Sequence, residues 1–453
     1  MCEVVVDLDL LSEIYSSFDP SQPPLKKAYV DCQYVRGDWE VTRELGRKIP
    51  RSKQPTCQLY TGYRGVGKST ELLRLKDYLE EQKYFVVYFA ADDEDIEPQD
   101  ADYADILFAC TRHLVEAIKL KEHNPLLNWM KDRWESLKDI ALTEVAFDGL
   151  SLEGQISQFA KITTNLRATP DKRRELRKKI NTNTPSLVEA LNDFIKEAQN
   201  SLPADSRGIV LIVDNLDRIV ETREAGKPSN YDEIYLNRSE MLGGLACHVV
   251  YTVPIAMMYS GRASQLANDY YTNVLPMIMI RNPDGTENER GIDKMRELIC
   301  RRIDLIEPNL LQTLEGKVDG LDFPPVFDNG ETLKNLCLMS GGHVRNLMQL
   351  IQKAIDWTDE LPITEEAAKR AIEEARQIYR LSVQDKEWEI LARACHVQQA
   401  YNNDDHLDLL LKRCLLEYRY YDKKKKLHIW YKVHPLIEGI PRFKDELARV
   451  RAL

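Results

Sequence analysis

Gly62-Tyr63-Arg64-Gly65-Val66-Gly67-Lys68-Ser69-Thr70 is the segment that most narrows what this chain can become. A short apolar run, Cys57 to Thr61, reads as a strand before it. After it, Leu72, Leu73, Leu75 and Leu79 recur at helical spacing in a stretch rich in Glu, Lys and Arg. Gly62, Gly67, Lys68 and Ser69 meet a spacing whose glycines let backbone N–H groups converge without a Cβ in the way, and a helix N-terminus adds a dipole that favours negative charge. A loop of this kind is shaped for phosphate oxygens. Lys68 would neutralise β- and γ-phosphate charge, Ser69 would offer its hydroxyl to Mg2+, and Tyr63, Arg64, Gly65, Val66 and Thr70 complete the cradle.

Near-continuous apolar runs at Tyr84 to Ala91, Gly208 to Val213 and His248 to Val253 suit parallel strands covered on both faces, with Pro276 to Ile280 as a weaker fifth. Helical patterns separate them, which predicts an α/β fold with a parallel sheet. The Gly208 to Val213 run ends in Asp214-Asn215-Leu216-Asp217-Arg218, where Asp214 is placed to hold Mg2+ through water. Residues at about 121–202 form a helical insertion, with a helix start at Thr184-Pro185. Arg167, Arg173, Arg174 and Arg177 within it read as a solvated helix face.

Residues 1–55 form an N-terminal segment flanking the nucleotide site, 56–285 the core, 286–380 a helical lid and 381–453 a winged-helix domain. The last assignment rests on helices followed by two strand-like runs, Leu415 to Tyr421 and Leu427 to Val433, joined by Asp422 and Lys423, Lys424, Lys425 and Lys426. Residues 380–453 carry 15 Lys and Arg against 11 Asp and Glu, whereas the whole chain has net charge −11. Nucleic acid held over the whole surface is therefore disfavoured, while a local contact at the hairpin tip is not. Tyr418, Tyr420, Tyr421, Trp430 and Tyr431 flank those lysines, a combination that suits a nucleic-acid wing; the alternative is a solvated turn whose lysines prevent sheet-edge pairing.

The nine cysteines are dispersed, never in a CxxC spacing, and no apolar run approaches the ~18 residues of a membrane span. A cytoplasmic protein without a membrane partner is expected. The histidines show no metal-ligand spacing, and His434, at a strand-to-helix junction, reads as structural.

The loop at Gly62 to Thr70, the Asp214 to Arg218 run, the strand ending at Thr252-Val253-Pro254 and Ser340-Gly341-Gly342-His343-Val344-Arg345 occur in the order found in AAA+ ATPases. The chain resembles their regulatory branches, the origin-recognition type and the signal-transducing STAND ATPases, over roughly residues 28 to 440. The resemblance implies a P-loop NTPase core of the additional-strand class with an α-helical lid and a C-terminal winged helix. It implies Thr252 at the first sensor position near the γ-phosphate, and Arg345 as a second sensor carried by the lid. Tyr34 and Val35 stand where such families contact adenine, although the following pair is Arg36-Gly37 rather than Gly-Arg. Arg262 and Arg281 are candidates for an arginine supplied to a neighbouring subunit, and Arg301 and Arg302 are lid-surface charges.

One departure bears on catalysis. Many AAA+ enzymes place Glu directly after the strand-end Asp to polarise the attacking water, and this chain has Asn215. Either Asp217 serves as the base, or hydrolysis is slow and the protein works as a nucleotide-dependent switch. The leading expectation is an ATP- and Mg2+-dependent regulatory ATPase that acts on its own assembly or on a separate effector protein, a role frequent in bacterial defence or regulatory modules. The alternatives are a DNA-binding initiator or transposition regulator, and a signalling scaffold that scarcely hydrolyses.

Overall fold

β1 (Cys57–Thr61), β2 (Tyr84–Ala90), β3 (Gly208–Asp214), β4 (His248–Thr252) and β5 (Tyr271–Val274) form one sheet in the order β2-β3-β4-β1-β5, every pair parallel. β3 is buried along almost its whole length, while edge strand β2 is buried at alternating intervals, as expected of a centre and a rim. The computed structural model describes residues 8–21, 26–118, 120, 124–132, 150–158, 161, 170–181, 184–259, 261–306, 326–401 and 403–452. They fall into two compact units. One, residues 41–61 and 71–274, holds the sheet; the other comprises residues 1–40, 62–70 and 275–453.

In the sheet unit, Leu72, Leu75 and Leu79 of the helix Lys68–Glu81 are fully buried at i, i+3 and i+7. The helix Thr184–Ser201 starts where Thr184-Pro185 predicts and buries Leu187, Leu191, Phe194 and Ile195. Residues 133–149 and Arg167 of the expected insertion lie outside the described residues. The solvated arginine face is corrected. Arg173 is buried and pairs with Asp100 at 2.8 Å, and Arg177 pairs with Asp100 and Asp105 at 2.6 Å each. Among the described arginines of this stretch, Arg174, bonded to Asp171, is the one exposed as expected.

The helical unit has its own core. Ile14, Phe18, Ile292, Met295, Ile299, Leu333, Leu336, Leu347, Leu350, Ile351, Ala368 and Ile372 gather there from the helices Leu8–Ser17, Glu289–Asp304, Gly330–Met339, Val344–Asp356 and Glu365–Ser382 and from the residue after the first. Pro276 to Ile280, expected as the fifth strand, belongs to this unit and is not a strand. Its backbone is engaged elsewhere: the Pro276 carbonyl accepts from Arg36, Met279 N–H donates to the Val35 carbonyl, and the Ile280 carbonyl accepts from Asn288 N–H. Arg302 is not a plain surface charge either, because its guanidinium donates to the Ser17 carbonyl.

After the helices Glu387–Val397 and Asp404–Leu411, β6 (Leu415–Tyr421) and β7 (Leu427–Val433) pair antiparallel with Tyr421 opposite Leu427. The turn at the tip is closed by the Asp422 carboxylate, which accepts from the N–H groups of Lys424 and Lys426 at 2.8 and 2.9 Å. Tyr418 and Trp430 are not exposed aromatics beside the lysines. They stack at 4.6 Å between centroids, both are buried, and Tyr418 donates its hydroxyl to the Gly341 carbonyl at 2.7 Å.

Candidate functional site

β1 runs directly into Gly62. Within the loop Gly65 has φ +91°, a region costly for any residue with a Cβ, and a Cβ there would stand 2.6 Å from that of Arg345. Lys68 opens the following helix, is buried, and folds back to donate its ammonium to the carbonyls of Gly62 at 2.9 Å and Tyr63 at 3.2 Å. Ser69, Thr70, Gly65 and Gly67 are half-buried, Gly62, Tyr63 and Val66 are buried, and Arg64 is exposed.

Three side chains of the helical unit close on this loop. Arg345 lies against Gly65, and its backbone N–H donates to the Gly65 carbonyl at 3.1 Å. Arg36, buried, donates to the Val66 carbonyl at 2.7 Å and to the Pro276 carbonyl. The His343 Nδ1 accepts from Asn346 N–H as the cap of the helix Val344–Asp356, which leaves Nε2 to donate to the Arg64 carbonyl at 2.9 Å. Sequence reasoning noted Arg36 only as part of a reversed pair and named His343 only as a member of the Ser340 to Arg345 run, with no role of its own. Their partners in the loop are backbone carbonyls, which leave no mark on a sequence.

Burial, and after it the Arg413 charge, push the His343 pKa well below its ordinary value, and the same two causes push His434 down to about 3. The unfolded chain therefore binds protons that the folded one does not, so stability is present above the ordinary value near 6.5 and falls as pH drops below it. The expected loss is about 1.7 kcal/mol per histidine between about pH 6.5 and 5, its slope approaching about 1.4 kcal/mol per pH unit at the lower end. Urea unfolding across that window measures it; a flat profile contradicts the neutral, buried assignment. His434 is structural, as its sequence context predicts, fully buried and stacked on Tyr379 at 4.4 Å.

In the sheet unit, Asp214 ends β3 almost fully buried, accepting from the Tyr88 hydroxyl at 2.9 Å and from Asn215 N–H at 2.7 Å. Burial and the Asp214 charge raise the Tyr88 pKa, so the phenol stays a donor. Asn215 has φ +63°, a conformation that Asn tolerates better than Glu does. The local turn thus accounts for the amide at this position. Thr252, at the end of β4, accepts from Leu216 N–H at 2.9 Å through its hydroxyl, which fixes the turn that follows Asp214. Asp217 lies half-buried in that turn, and Arg218 pairs with Asp92.

Tyr34 is 77% exposed, an aromatic face open to a ligand, whereas Val35 is buried and its carbonyl is bonded to Met279. Arg262 is bound within its own unit by Asp232, Glu221 and Ser229. Arg281 donates to the Gly285 carbonyl at 3.2 Å.

A five-stranded parallel sheet of order β2-β3-β4-β1-β5, with a glycine loop between β1 and its helix and an acid ending β3, is the α/β P-loop NTPase fold of the additional-strand class. No protein-family model matches the chain, and no curated protein does. Among solved structures it is similar to the Aeropyrum pernix Orc1 protein in complex with DNA, with 12% identity, 97% of this chain and 98% of that chain covered, and a TM-score of 0.36. The fold is defined by the chain's own strand order and glycine loop.

Proposed function

We propose that the chain binds ATP with Mg2+ and hydrolyses it, as an AAA+-like regulatory ATPase whose nucleotide state governs its assembly or an effector protein. The observation that carries this reading is the loop itself: glycines at positive φ, a buried lysine across its mouth, and Arg36 and Arg345 against it. Such a cradle fits a polyphosphate, because its donors are backbone N–H groups and cations.

The backbone from Gly62 to Thr70 holds the phosphates, and Lys68 exchanges its two carbonyl partners for β- and γ-phosphate oxygens. Ser69 and Asp214 are assigned to the metal, the first by its hydroxyl and the second through water. Mg2+ would supply charge neutralisation across the β- and γ-phosphates. Thr252, whose hydroxyl holds the turn beyond Asp214, is assigned the role of first sensor, and Arg345 that of the second sensor, carried by the lid. Tyr34 offers an adenine its ring, with Val35 setting the backbone beside it. Asp217 takes the role of base that Asn215, an amide, cannot take. Steady-state ATP hydrolysis with size-exclusion profiles tests the whole: turnover together with nucleotide-dependent size supports an ATPase switch, and nucleotide bound without turnover supports the scaffold.

A second reading is favoured by one observation. Lys423, Lys424, Lys425 and Lys426 are all exposed at the hairpin tip, where they would meet DNA phosphates without reading sequence. Replacing all four by alanine is then expected to reduce the slope of log affinity against log salt by about 3 to 4. An unchanged slope removes DNA from the wing.

A further inference from the structure

We propose that Arg36 is a positioning residue that sets the shape of the phosphate loop, and that Gly37 ties the same loop to wing strand β6, so that phosphate binding is read out in the hairpin. The inference rests on the reading that the loop binds nucleotide.

Arg36 is 5% exposed, and its hydrogen bonds run to two backbone carbonyls, Val66 inside the loop and Pro276 outside it. Its Nη2 lies 3.6 Å from where a Cβ on Gly67 would stand, so the guanidinium sits beside the Val66-Gly67 peptide. The buried Nε–H has no hydrogen-bond partner among the described residues. A guanidinium carries five donors in a rigid fork, and an unmet buried donor is costly. Any shift of the loop that phosphate brings about must therefore be answered by Arg36.

The next residue carries that answer to the wing. Gly37 has φ +71°, and a Cβ on it would lie 2.2 Å from the Arg419 carbonyl oxygen and 2.6 Å from the Tyr420 Cα. The turn Tyr34–Arg36 thus has its C-cap glycine pressed onto the backbone of β6. A second strut runs parallel to it. Tyr418, also on β6, bonds the Gly341 carbonyl, and two and four residues on His343 and Arg345 bond the Arg64 and Gly65 carbonyls. Four successive loop residues, Arg64 to Gly67, are thereby in touch with elements that meet one hairpin strand.

The experiment compares the full-length wild type with Arg36→Ala, Arg36→Lys, Gly37→Ala and Lys68→Ala. Equilibrium ATP binding and amide hydrogen exchange over residues 415–421, with and without Mg·ATP, are the two readouts, and thermal melting confirms folding. ATP binding to wild type is expected to change exchange in β6. Arg36→Ala is expected to bind ATP about tenfold more weakly, with partial recovery in Arg36→Lys. Gly37→Ala is expected to go on binding ATP but to lose the exchange response in β6. Wild-type affinity in Arg36→Ala, or an intact β6 response in Gly37→Ala, overturns the proposal while leaving nucleotide binding standing. Equal binding by wild type and Lys68→Ala, or none by either, overturns the nucleotide reading and this proposal with it.

Discussion

ATP affinity is expected to fall roughly 100-fold when Lys68 is replaced by alanine, the equivalent of about 3 kcal/mol. The lysine is buried and already spends its ammonium on two carbonyls of its own loop, at 2.9 and 3.2 Å. Phosphate oxygens are better partners than those carbonyls, because they carry formal negative charge where a carbonyl offers the ammonium only a dipole. The exchange costs no unfolding and leaves carbonyls at the loop's mouth. Lys68→Met, which keeps the apolar stem, separates loss of charge from loss of packing and is expected to bind as weakly as Lys68→Ala. Titration calorimetry reads both. Near wild-type affinity in either variant would mean that the cradle does not hold phosphate.

The second large effect concerns turnover. Asp217→Asn is expected to lower the hydrolysis rate by about 10²- to 10⁴-fold with ATP affinity changed little, the range ascribed to a positioned base. Asn215 cannot accept a proton, and its left-handed backbone explains why a longer acid does not stand there. Asn215→Glu is not expected to restore a base, since it places a side chain with poor tolerance of φ +63° into the turn that Thr252 holds. Single-turnover hydrolysis under saturating Mg·ATP measures these rates. An unchanged rate in Asp217→Asn would assign the site to slow, switch-like hydrolysis.

The parts legible in the sequence are those whose cause is local. The glycine spacing announces the loop, apolar β-branched runs announce β2, β3 and β4, and a polar turn between two alternating runs announces the hairpin, whose strand limits match the observed ones. The parts that were not legible depend on partners distant in the chain. Pro276 to Ile280 looks like a strand because it is apolar, but its neighbours are Val35, Arg36 and Asn288. The true edge strand, Tyr271–Val274, has a half-exposed, polar sequence that hides it. Arg173 and Arg177 read as solvated because Asp100 and Asp105 lie more than 60 residues away. Tyr418 and Trp430 read as nucleic-acid aromatics because nothing local tells a stacked core pair from an exposed one.

The most direct test of the central claim is equilibrium binding of ATP to the wild-type chain with and without Mg2+. Saturable binding of one ATP per chain, strengthened by Mg2+ and lost in Lys68→Ala, is the predicted result. Absence of saturable binding at millimolar ATP, or binding indifferent to Lys68, would contradict the account.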